Sequence, residues 1–276
     1  MASKKIEYRA SLIQQAVFKT IEKLEKHINK PVTEEEYIHR IRVDIKRLRG
    51  WLRVLRIRDG ELDWKIIDQH LHDIAGSLGG SRDAEVINET LQLLSDHIGN
   101  DHDQAVFDHL KEKIYVEISP AVIDWKKIKP ELTEQLQIYK KDYVSFKNMA
   151  AVKRGIRRLY KKTLGLGNQA FSSNGVFEDL HKLRRWVKYL NYQLNFVRKA
   201  YPDCLEDFKK EISLLGSDLG EIHDLVMLKE RIKNDVDLQN TNELIDKTTE
   251  YLLNKSRQSY HYLFNLSPEK FIQLIE

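Results

Sequence analysis

Apolar residues recur at i, i+3, i+4 and i+7 through most of the chain, the pattern of helices that bury one side. Five prolines and twelve glycines are too few to break it often. The spacing predicts helices over residues 6–29, 62–95, 101–118, 152–164, 177–200, 202–236 and 241–264, and one more that begins near Thr33. There, Thr33 followed by Glu34, Glu35 and Glu36 has the composition of an N-cap with a capping box. Gly76, Gly79 and Gly80 mark a bend or a close contact within the 62–95 segment. The stretch 119–149, with Pro120 and Pro130, is the least regular in the middle of the chain and the best place for a boundary. The fold class is all-α.

The helix that begins near Thr33 has the most distinctive surface. At about 100° per residue, His39, Arg42, Lys46, Arg49, Arg53 and Arg56 share one side, while Ile41, Ile45, Leu48, Leu52 and Leu55 share the other. With a rise of roughly 1.5 Å per residue the cationic line is about 25 Å long, a rail rather than a pocket. Like charges at this spacing repel by about 0.2–0.5 kcal/mol per pair, so something has to offset them. A solvated face with acids nearby is the simplest account of one isolated basic helix.

Composition narrows the alternatives. The 276 residues are 41% hydrophobic, enough for one large core or two smaller ones. Because 46 Lys and Arg are nearly balanced by 42 Asp and Glu, a polyanion site must come from segregated charge. A single cysteine, Cys204, excludes an intramolecular disulfide and any CxxC metal site. The N-terminus lacks an apolar h-region, and no run approaches the roughly 18 apolar residues of a membrane span, so a cytoplasmic protein without a membrane partner is expected.

An internal repeat changes the account of the rail. A shift of 142 residues brings His39, Arg42, Lys46 and Arg56 onto His181, Arg184, Lys188 and Arg198, and the apolar line onto Leu183, Val187, Leu190, Leu194 and Val197. A shift of 141 brings Leu78-Gly79 onto Leu219-Gly220 and Arg82-Asp83 onto His223-Asp224. Two segments that agree within one residue indicate a duplicated helical unit. Its halves are unequal, since Arg49 and Arg53 correspond to Asn191 and Asn195. The second half has its own line upstream, Arg154, Arg157 and Lys161 at i, i+3 and i+7.

The segments HRIRVDIKRLRGWLRVLR, LGGSRDAEVI, RGIRRLYKKT, LHKLRRWVKYL and LGEIHDLVML resemble, in order, the signature segments of the CHAD family, the conserved histidine α-helical domain. The resemblance implies two four-helix bundles related by pseudo-two-fold symmetry, with a basic central cavity that binds inorganic polyphosphate. It makes residues 1–276 one CHAD-like unit, with a first helical half at 1–119, a connecting segment at 120–149 and a second half at 150–276. By motif match the anion-binding positions are His39, Arg42, Lys46, Arg49, Arg82, Arg154, Arg157, His181, Arg184, Lys188 and His223. Arg53, Arg56 and Lys161 join them from the helical lines.

Arginine offers a planar fork to phosphate oxygens and lysine a point charge, so these residues suit a flexible anionic chain read without sequence. Polyphosphate, free or in granules, is the expected partner. Single-stranded nucleic acid is the alternative, with Trp51, Trp186, Tyr189 and Tyr192 as stacking candidates, although both tryptophans lie nearer the apolar side. A metal-dependent phosphohydrolase comes third. It would need clustered carboxylates, and the one acid run, Glu34 to Glu36, is explained by a helix start. The Gly76–Ser81 segment lacks the Lys-Ser/Thr ending of a phosphate-binding loop, and the His-x2-Arg spacing does not pair metal ligands. A non-enzymatic binding protein with neither metal nor cofactor is therefore expected.

Overall fold

The computed structural model describes residues 2–29, 35–56, 58–59, 62–78, 83–114, 123–142, 144, 149–172 and 177–275. They form eleven α-helices: α1 (Ala2–Ile28), α2 (Glu35–Leu55), α3 (Trp64–Ser77), α4 (Asp83–Ser95), α5 (Asp101–Lys113), α6 (Trp125–Asp142), α7 (Met149–Ser172), α8 (Phe177–Val197), α9 (Pro202–Ile232), α10 (Thr241–Leu263) and α11 (Pro268–Gln273). A two-residue ribbon, Arg58–Asp59 against Leu62–Asp63, joins α2 to α3. Thr33, Glu34, Gly79 and Gly80 lie outside the described residues, and so do the cap and the bend expected there. None of the described helices is long and apolar enough to cross a membrane.

Local chemistry sets several helix ends. Asp63 caps α3 by accepting from the Lys65 amide, and Asn100 caps α5 by accepting from Asp103. Arg56 ends α2 in the left-handed region, at φ 50°, where its amide donates to the Leu52 carbonyl at 2.8 Å.

One expectation needs correction. Residues 125–142, read as irregular because of their prolines, form the helix α6 with Pro130 inside it. The i, i+4 spacing of Ile128, Leu132 and Leu136, continued by Tyr139, buries one face and outweighs the lost amide. Tyr139 Oη donates to the Leu48 carbonyl of α2 at 2.8 Å, and Lys140 pairs with Glu25 of α1 at 2.7 Å. Sequence reading also missed α11 and ended α7 too early.

Helices α2 and α8 occupy the centre. Ile41, Ile45, Leu48 and Leu52 of α2 and Leu183, Val187, Leu190 and Leu194 of α8 are fully buried. The two helices pack on each other, with α1, α3 and α7 around α2 and with α7 and α9 around α8. Gly50 is the closest point, where a Cβ would strike the Gln193 side chain, and Gln193 Nε2 donates to the Arg47 carbonyl at 3.3 Å. Helix α6 covers α1 and α3, whereas α4 and α5 lean on α9 and α10, so elements from both ends of the chain interlock.

Two glycines of α7 test this packing. A Cβ on Gly155 would run into the Val54 carbonyl, while one on Gly165 meets nothing within 4 Å. Urea unfolding should show Gly155→Ala losing about 2–3 kcal/mol through overpacking. Gly165→Ala should gain about 0.5–1 kcal/mol from helix propensity.

Candidate anion-binding site

The apolar face of α2 is buried, and side chains of its basic face meet α3 and α8. Arg49, only 9% exposed, donates from Nε to Asp68 Oδ1 of α3 at 2.9 Å. Arg53 donates from Nη2 to the other oxygen of the same carboxylate at 2.8 Å. A turn further along α3, His72 Nδ1 lies 3.1 Å from Arg49 Nη1. Guanidinium can only donate, so in this contact the ring nitrogen is the acceptor. From α8 the Tyr189 ring lies 4.3 Å from the Arg53 guanidinium carbon, a cation–π contact. Burial alone would make Arg53 easier to deprotonate, but Asp68 and Tyr189 reverse this and hold it above the usual arginine range.

Across the α8–α9 contact a different arrangement forms. The His181 and His223 rings stand 4.9 Å apart, and Phe177 stacks nearly parallel on His223 at 5.6 Å. Arg184 lies over Gly220, whose absent Cβ would sit 3.7 Å from Nε. Burial, then Arg184, His181 and Lys188, push His223 down to about 4. His181 is lowered by burial and by Arg184 and Arg185. His223 Nδ1 is buried with no hydrogen-bond partner among the described residues. This wall therefore sets cations beside imidazoles whose protonation is suppressed first by burial and then by those cations.

A third group gathers beyond the end of α2. Arg158 of α7 donates to the Val54 carbonyl at 2.9 Å and is lowered by burial and by the nearby Arg56 and Arg154. The Arg56 guanidinium lies 5.6 Å from the Trp64 ring. Arg157 instead pairs with Glu269 of α11, whose carboxyl is held low by that bond and by Lys161. Arg157 and Lys161 thus act on α11, while Arg154 and Arg56 both act on Arg158. His39, Arg42, Lys46 and Lys188 are half-buried on their helices, and Arg82 lies outside the described residues.

Asp68 and His72 were not identified from sequence, because no spacing ties an acid on α3 to arginines on α2. Tyr189 was seen only as a stacking candidate. Two surface grooves run along α1, one lined by Glu22, Lys23 and His27 among others, the other by Gln15, Phe18 and Lys19, and neither includes a candidate cation. Among the described residues no group of three or more His, Cys, Asp and Glu side chains is placed to hold a metal ion.

These features define an all-α protein whose two central helices carry arginine, lysine and histidine beside one another. The chain belongs to the CHAD domain family, whose model matches residues 15–233. A comparison with curated proteins finds no match.

The carboxylate between Arg49 and Arg53 has a measurable role. Asp68→Ala leaves two poorly solvated guanidinium groups facing each other and should cost about 2 kcal/mol in urea unfolding. Asp68→Asn, which keeps the shape and one acceptor oxygen, should cost less.

Proposed function

We propose that this protein binds inorganic polyphosphate, without cleaving it, along a basic channel bordered by α2 and α8. Family membership supports the reading, and the observation that carries it is the gathering of His181, His223 and Arg184 where α8 meets α9 at Gly220. Burial lowers the His223 pKa most, and Arg184, His181 and Lys188 lower it further; a polyanion is the ligand that relieves this second, cationic part. Arginine forks and lysine ammonium groups along the two helices would hold successive phosphates without reading a sequence. The protein then acts in the cytoplasm as a binder of free or granular polyphosphate.

Single-stranded nucleic acid fits less well. Trp51 is fully buried, edge-on to Phe196, and Tyr189 is already faced by Arg53, so neither offers an open ring to a base. If single-stranded RNA displaces labelled long-chain polyphosphate at equal phosphate concentration and salt, the reading is wrong. Release of orthophosphate in the presence of Mg²⁺ or Mn²⁺ would support a phosphohydrolase instead.

Replacing Arg42 and Lys46 together by alanine should weaken long-chain binding at least about tenfold and lower its salt slope by about 1–2. Helicity, followed by circular dichroism, should stay unchanged, since neither side chain belongs to the apolar face.

The histidines give a pH signature. Bound phosphate raises the His181 and His223 pKa values from their depressed positions, so complex formation takes up protons. Affinity should therefore rise as pH falls from 8 to 5.5 and decline as pH rises through the bound-state pKa. The His181→Gln, His223→Gln double variant should lose that dependence, and a flat wild-type profile would deny the imidazoles a role.

A further inference from the structure

We infer that Lys209 of α9 is a phosphate-binding residue of the second wall, replacing the cations that α8 lacks. The inference rests on the polyphosphate reading. It starts from a mismatch within the repeat: where α2 has Arg49 and Arg53, α8 has Asn191 and Asn195.

The shift of 141 extends to the flanking helices. It pairs the buried Leu71, Ile74 and Leu78 of the first half with the buried Ile212, Leu215 and Leu219 of α9. The same shift pairs Asp68 with Lys209. Where two arginines face an aspartate in one half, two asparagines accompany a lysine in the other. Both sets leave the same net charge, with the cation moved from the central helix to its neighbour. Each set is also completed from the opposite central helix. Tyr189 of α8 reaches Arg53, and its repeat counterpart is Arg47 of α2, whose field acts on Lys209.

The surroundings of Lys209 suit an oxyanion. Its side chain is half-buried and makes no hydrogen bond or ion pair among the described residues. Arg198, just beyond α8, is held by Glu206, one turn before Lys209, at 2.7 and 2.8 Å. Arg47 is held by Asp44 at 2.7 Å. Each of these acids engages one Nη1, and the Nε of both arginines is buried without a hydrogen-bond partner. The Lys209 ammonium is depressed by burial and by Arg198 and Arg47, with Glu206 offsetting part. Lys209 thus feels Arg198 and Arg47 together, with Glu206 offsetting part of their field, and a phosphate group entering beside it would relieve the rest.

The test compares wild type, Lys209→Gln and Lys210→Gln, the last on the exposed side of the same helix. Each is titrated with long-chain polyphosphate and, separately, with orthophosphate at matched ionic strength. Lys209→Gln should weaken long-chain binding about 5–10-fold and reduce its salt slope by about one, whereas Lys210→Gln should change it by less than about twofold. Equal effects of the two substitutions would overturn the assignment of Lys209 and leave the polyphosphate reading standing. A loss confined to orthophosphate would also overturn it, since the site would then lie off the chain path. Failure of the wild type to bind polyphosphate would instead overturn the underlying reading.

Discussion

The contact between α2 and α8 governs the arrangement of everything around it. Gly50 lets the helices approach until the Gln193 side chain occupies the space of a missing Cβ, and the Gln193 amide bonds the backbone of the opposite helix. Each helix can then bury its apolar line completely, because neighbours close over the remaining sides. Backbones this close bring the basic faces of α2 and α8 next to each other. A larger residue at position 50 would meet the Gln193 side chain and part the two helices.

Bringing cations together is costly in a partly desolvated setting, and the two walls meet this cost differently. On the α2 side Asp68 spans Arg49 and Arg53, His72 accepts from Arg49, and Tyr189 faces Arg53. Fixed charge there is matched by an internal anion, which also orients the guanidinium planes. On the α8 side burial, then Arg184, His181 and Lys188, disfavour the protonated form of His223. The first wall is pre-organised and partly neutralised. In the second, Asn191 and Asn195 stand where the first has Arg49 and Arg53, and Lys209 lies on the adjacent helix.

Periodicity alone established a good deal. Helix order, the apolar faces of α2 and α8 and the cationic line opposite them could be read from residue spacing, because a helix of fixed pitch converts sequence intervals directly into faces. Repeat offsets and signature segments were legible for the same reason, and they were enough to place the chain in its family. Prolines misled the reading at 125–142, where the apolar spacing carried the correct information and Pro130 was tolerated by a well-buried helix.

Tertiary structure decided which candidate cations share surroundings. Nothing in sequence distance predicts that Asp68 will divide its oxygens between Arg49 and Arg53, that Arg157 will turn to Glu269 while Arg154 and Arg56 both act on Arg158, or that the field of Arg47 will reach Lys209 on another helix. Such pairings depend on the packing of separate helices, and electrostatic energy depends on distance and burial that no single helix defines. The sequence determined which faces were basic; only the assembled helices determined how that charge is shared among internal partners.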